Sequence, residues 1–232
     1  MGVEFQSILV LVRDTIRTIR GSVESQSETI SDIQVEGWIH QYRSLLLKQD
    51  LDKGKDADPS YIQELKGLKV SPVDSSEISI KPVNKYVLRT NLQLPKLIDL
   101  NYGPAITYLG TADGRELQYV PQGRVRWQQY KTYTQNDPLV YLKNQYLYIQ
   151  GSNEVIEYID LRGVFELPLE VARFYNPTFG PQVFDVSTYK YPIPLNMVPV
   201  LKDMIMQKEF GVMLKVPSDL KNDSTNENLN AR

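Results

Sequence analysis

The chain has 232 residues, enough for one sizeable core or two small domains. Its 26 basic residues against 28 acidic ones, with a pI near 5.6, exclude a general electrostatic pull toward nucleic acid. One histidine and no cysteine exclude a disulfide framework, the common zinc sites and cysteine nucleophiles.

The first apolar run, ILVLV, lies between Glu4 and Asp14, is too short to span a bilayer and lacks the layout of a signal peptide, so a soluble, unsecreted protein is expected. Phe5, Ile8, Leu9, Val12, Ile16 and Ile19 recur at helical spacing and predict a helix over residues 4–20. Arg17 and Arg20 fall in its last turn and Gly21 just beyond, as at a helix C-terminus. The serine-rich stretch 21–29 then connects to SDIQVEGWIHQYRSLLLKQD, residues 31–50. There Val35, Trp38, Ile39, Tyr42 and Leu46 form one helical face, and Ser31 with Gln34 reads as a capping box. The two segments together predict an αα-hairpin. His40 falls off the apolar face; with no second histidine, no cysteine and no GxSxG elbow, solvent or packing explains it better than catalysis. A short helix is expected over residues 59–65, capped by Asp58 with Pro59 at its first position.

From about residue 70 the period changes to two. Alternation runs through EISIKP, KYVLRTNLQL, ITYLGTADGRELQYV, RVRWQQYKTYT, LVYLKNQYLYIQG and EVIEYIDLRGVFEL, broken by the turn sequences DG, QG, NDP and GSN. Such segments predict an antiparallel β-sandwich or small barrel. Beyond the proline-rich NPTFGPQ and YPIP, helical spacing returns at Val198, Leu201, Ile205 and Met204 up to Phe210. The expected fold class is therefore α+β. Residues 1–69 and 192–215 build a helical bundle, 70–191 the antiparallel β-domain, and 216–232 an extended tail too polar to bury much.

The acids Asp50, Asp52, Asp56 and Asp58 imitate a calcium loop, but Gly54 stands where a third acidic ligand is needed and Tyr61 where the bidentate glutamate belongs. A solvated loop is the simpler account, and neither metal nor cofactor is expected. In RVRWQQYK, strand alternation sends Arg124, Arg126, Gln128 and Tyr130 to one face and Val125, Trp127 and Gln129 to the other, an ordinary half-exposed strand more than a base-stacking platform. Glu154, Glu157, Glu166 and Glu170 offer carboxylates for a glycan hydrolase, with no spacing to support it. No phosphate loop or dinucleotide motif is present, and no enzymatic activity is expected.

Taken in order from residue 37 to residue 223, the segments GWIHQYRSLLLKQD, IQELKGL, VSPVD, YLGTADG, DLRGVFELP, YPIPLNM and PSDLKND resemble the head-to-tail ring (adaptor) proteins of crAss-like bacteriophages. The resemblance implies a structural virion protein of the portal vertex and tail, made in the host bacterial cytoplasm. It implies a homo-oligomeric ring, a dodecamer by likeness to portals, beneath the portal protein and next to other tail ring proteins, with genomic DNA passing through and no membrane contact. In this reading the Trp38 helix joins the N-terminal helix and the one from about residue 198 in the ring wall. Its polar side, Glu36, His40, Arg43 and Lys48, would face a neighbouring subunit or the DNA channel. The tail would reach the portal or an adjacent subunit through Leu214, Val216 and Leu220, with Asp219, Lys221, Asn222 and Asp223 as polar contacts. The main alternative from another class is a tail-associated carbohydrate-binding module built on the tyrosine-rich sheet.

Overall fold

A computed structural model describes residues 7–22, 31–73, 87–125, 127, 130, 137–151, 156–174 and 184–210. Helix α1 is Ile8–Ser22 and α2 is Asp32–Asp52. On α1 the buried positions are Ile8, Leu11, Val12, Thr15, Ile16 and Ile19, a stripe at steps of three and four; Leu9, expected inside, falls one position off it and is exposed. Phe5 lies outside the described residues. Helix α2 begins behind Ser31 as its spacing predicts, but the capping box does not form. The Ser31 carbonyl accepts from the Gln34 and Val35 N–H groups at 3.0 and 3.2 Å, while its hydroxyl caps nothing.

The short helix expected over 59–65 is absent. Asp58 accepts the Ser60 N–H at 2.7 Å in the manner of a cap, but the chain makes a single turn and enters strand β1, Gln63–Pro72. The cause is tertiary: Leu65, Leu68 and Val70 are all buried in one apolar cluster. Their uneven parity is reconciled by a bulge between Leu65 and Leu68, where Gly67 takes φ 57° and donates its N–H to Asp160 Oδ1 at 2.7 Å. An extra residue there flips the later side chains to the same face as the earlier one. That flip hides the strand from any search for strict alternation.

The strands that follow are β2 (Val87–Thr90), the small hairpin β3 (Asp99–Leu100) and β4 (Gly103–Pro104), β5 (Ile106–Thr111), β6 (Gln118–Tyr119), β7 (Leu139–Lys143), β8 (Tyr146–Gln150) and β9 (Tyr158–Gly163). Among the described residues, one seven-stranded sheet has the order β5-β9-β1-β2-β8-β7-β6, antiparallel except for the β6–β7 pair. It curls until its first and last strands nearly meet: Leu117 N–H donates to Leu109 C=O at 2.8 Å and Gly110 pairs with Glu116. Of the two expected β-architectures the sheet is thus barrel-like. The β7–β8 hairpin turns on Asn144 and Gln145, both at positive φ (52° and 63°), the signature of a two-residue type I′ turn.

Alternation assigns the two faces of the barrel. Leu88, Val140, Leu147, Ile149, Ile159 and Leu161 point inward to a core that includes Leu68 and Phe165. Val87, Leu139, Tyr141 and Tyr148 point outward, where Val120 and Val125 cover them. Val125 ends helix α3, Gln122–Val125, so the strand expected from RVRWQQYK begins instead as a helical turn. EISIKP lies outside the described residues.

A second cluster brings together α1, α2 and helix α5 (Met197–Ile205), with Val35, Ile39, Tyr42, Val198, Leu201 and Ile205 among its buried members. Leu169, from the short helix α4 (Pro168–Ala172), joins it, and Lys202 of α5 pairs with Asp14 of α1. A π-helical turn, Met206–Phe210, follows α5.

Ile39 is completely buried, whereas Trp38 is only half-buried at the edge of the same cluster. Ile39→Ala should therefore destabilise the fold by about 2–5 kcal/mol, and Trp38→Ala by less despite its greater size. Urea unfolding of the two variants measures this, and the reverse order would refute the packing described.

Candidate functional site

Helix α2 is buried on two faces. Val35, Ile39 and Tyr42 meet α1 and α5, while His40, Arg43, Ser44, Leu47, Lys48 and Leu51, spaced at three and four, form a second stripe that begins against Tyr191 and runs along the barrel. This second stripe is largely polar, and the barrel's connecting segments supply its partners.

Arg43 is the centre of it, at 0% exposure. Its Nε donates to the Pro192 carbonyl at 2.7 Å and its Nη1 to the Phe165 carbonyl at 2.9 Å. The guanidinium also lies 5.6 Å from the centre of the Tyr191 ring. Burial lowers its pKa, with the nearby Tyr191, Tyr189 and Tyr61 acting in the opposite sense. One turn earlier, His40 Nδ1 is 2.8 Å from the Tyr191 hydroxyl and Nε2 is 3.6 Å from Glu36 Oε1. With the proton on Nε2, the tyrosine donates to Nδ1 and the imidazole N–H points at the carboxylate. Tyr191 itself is held far above the usual phenol range by burial.

Further along the stripe, Ser44 Oγ donates to the Glu166 carbonyl at 3.0 Å and Lys48 Nζ to the Asp99 carbonyl. Asp52 Oδ1 accepts the Asn101 N–H at 2.8 Å. At the opposite face the Tyr42 hydroxyl donates to Glu209, and burial with that contact pushes its pKa up to about 12. Lys208 lies 5.7 Å from the centre of the same ring, so the turn after α5 is fastened to α2.

The expectation that Glu36, His40, Arg43 and Lys48 form an outward polar side is corrected for two of them. Arg43 is wholly buried and His40 is 8% exposed, both turned into the protein's own interior against Tyr191. Glu36 and Lys48 keep part of their surface. The signal for this second face was present in the sequence: Leu47 and Leu51 fall on the same helical stripe as His40 and Arg43. Tyr191, which ties both residues together, was missed because it lies far away in the chain. Leu214, Val216, Asp219, Leu220, Lys221, Asn222 and Asp223 lie outside the described residues.

Three of the four acids at the end of α2 and in the loop beyond it use their carboxylates internally. Asp50 pairs with Lys55 at 2.9 Å, Asp52 holds Asn101 and Asp58 holds Ser60. Among the described residues, no group of three or more His, Asp or Glu side chains could hold a metal ion. Glu166 pairs with Lys96 at 2.9 Å. Among the described residues, the large aliphatic side chains that remain exposed are Leu9 and Val10 on α1, Ile33 on α2, Leu167 before α4, Leu195 before α5 and Val200 on it. Exposed aromatics are Tyr102, at 90%, and the pair Trp127 and Tyr130, whose ring centroids are 6.1 Å apart.

Two outcomes follow from the junction. Arg43→Met leaves the Phe165 and Pro192 carbonyls without their donors, at about 1–3 kcal/mol each, and Arg43→Lys cannot restore both because an ammonium lacks the planar fork; urea unfolding should find both variants destabilised. The second concerns pH. Burial is the main influence on His40 and lowers its pKa below 6.5, aided by Arg43 and Arg173 and opposed by Glu36. The unfolded chain then takes up the proton first, so this contribution to stability is intact above pH of about 6.5 and is lost as pH falls below it. His40→Gln should flatten that part of the stability profile, as read by chemical unfolding at a series of pH values.

Among the described residues no helix is long and apolar enough to cross a membrane. No curated protein matches the chain. A family model does, over residues 10–228, and it spans both helical faces, the barrel and most of the tail. That match covers nearly the whole sequence, and with it the chain belongs to the phage tail ring protein 2 family (CrAss_Ring_2), a family of structural ring proteins of the virion.

Proposed function

We propose that this chain is the repeating subunit of a homo-oligomeric ring, a dodecamer, set beneath the portal and joining the capsid to the tail. The helical wall is the bundle of α1, α2 and α5, and genomic DNA passes through the channel without sequence-specific contacts. Portal protein and neighbouring tail rings are the partners, met after synthesis in the host bacterial cytoplasm.

The observation that supports this reading is a division of labour in the side chains. The polar stripe of α2 is engaged within the subunit, whereas Leu9 and Val10 of α1 and Val200 of α5 remain exposed outside it. A closed ring needs contacts between two different faces of each copy, and exposed aliphatic side chains on well-packed helices suit such contacts. The tail, through Leu214, Val216 and Leu220, extends the same assembly to the portal or an adjacent copy, from a turn that Tyr42 and Glu209 hold in place.

A second reading, a tail-associated carbohydrate-binding module, has one observation in its favour. Backbone bonds at a spacing of three, from Trp127 to Arg124 and from Tyr130 to Trp127, set an exposed Arg–Trp–Tyr edge beside the barrel. Glycan-array binding by the isolated protein would support it.

Class-average images of virions labelled on this protein test the leading reading: label in a ring between portal and tail supports it, and label elsewhere in the particle refutes it. At the residue level, Val10→Glu should leave unfolding by urea within about 0.5 kcal/mol of the parent, as for surface changes generally, while abolishing ring formation in sedimentation. Rings formed normally by that variant would remove α1 from the subunit contact.

A further inference from the structure

We infer that one ordered water molecule is built into the junction between α2 and the barrel, bridging Arg43 Nη2 and Gln63 Oε1. Among the described residues these two buried side-chain atoms have no hydrogen-bond partner in the protein. Neither side chain is free to turn toward another. Arg43 is committed through Nε to Pro192 and through Nη1 to Phe165. Gln63 spends both amide hydrogens, one on the Pro168 carbonyl at 3.0 Å and one on the Tyr189 hydroxyl at 2.8 Å.

The two side chains share their surroundings. Phe165 and Pro168, whose carbonyls the two side chains hold, belong to one short stretch after β9. Tyr189, which touches Gln63, is also an electrostatic neighbour of the Arg43 guanidinium. Buried polar atoms of this kind are costly when unpaired, and internal water is the usual means by which proteins satisfy them.

Their chemistry selects the occupant. Arg43 Nη2 can only donate and Gln63 Oε1 can only accept. Water does both, accepting from the first and donating to the second. A halide or carboxylate would suit the guanidinium but set negative charge against the Gln63 carbonyl, and a cation would reverse the conflict. Rotating the Gln63 amide by half a turn would not help, because Oε1 would then face the Pro168 carbonyl, acceptor against acceptor. The Tyr189 hydroxyl, whose own hydrogen has only a long 3.5 Å approach to the Pro168 carbonyl, provides a third partner.

Crystals of the wild-type protein diffracting well enough to order solvent test the assignment. The expected result is an isolated density peak within about 3.2 Å of both atoms, with no anomalous signal there after a bromide soak. A direct bond between Arg43 and Gln63, a bromide peak, or no density would each overturn it. In solution, a cycle of Arg43→Met, Gln63→Leu and the double variant should show coupling: the double variant's unfolding constant should fall short of the product of the two single effects by about tenfold. Effects that multiply in full would count against a shared water. Should Arg43→Met fail to fold, the wild-type density and bromide experiment decides alone.

Discussion

Arg43 holds two connections at once. Phe165 lies just past β9, and Pro192 lies on the approach to α5, so one guanidinium fixes the chain where it leaves the barrel and where it returns to the helices. A planar fork with several donors can do this from a single position, while a lysine or a neutral amide could not span both carbonyls. Desolvating the cation is expensive, and hydrogen bonds to backbone oxygens together with the Tyr191 ring offset it without a carboxylate. The neighbouring contacts of Ser44, Lys48 and Asp52 repeat the pattern more weakly down the helix. The helical and barrel clusters are thereby set in a fixed relation, which the proposed ring would require of its subunit.

Inside the barrel the corresponding constraint is the bulge at Gly67. Without it, Leu65 and the pair Leu68 and Val70 would point to opposite faces of the sheet. The Asp160 carboxylate receives the displaced N–H, so that donor does not go unpaired. It lies in β1, between β9 and β2, where it bends the strand that joins the two halves of the sheet.

Much of this was legible in the sequence because local period and tertiary demand agreed. The stripe of α1, the start of α2 at Ser31, the β7, β8 and β9 segments and the helical spacing from Val198 onward all follow their patterns closely. Failures came where tertiary packing overrode the local pattern. Asp58 and Pro59 are good helix-starting chemistry, yet the residues after them are claimed by a strand. His40 and Arg43 look like a solvated face to any rule that counts polar groups as exposed. The carbonyls of Phe165 and Pro192 and the hydroxyl of Tyr191, all more than a hundred positions away, help make their burial tolerable. Kinship with the ring proteins of crAss-like phages was legible from an ordered set of short segments, and two of them, DLRGVFELP and YPIPLNM, turn out to carry the carbonyls that Arg43 holds.

The near meeting of Leu117 with Leu109 has a bearing on crowding. In the proposed ring, identical sheets would lie side by side at very high local concentration, the condition under which open strand edges recruit one another into runaway aggregates. A sheet that curls back on itself withholds that template. In that proposed assembly, copies would recognise each other through side chains, whose shapes can enforce one angle between neighbours and so favour a closed circle over an endless fibre.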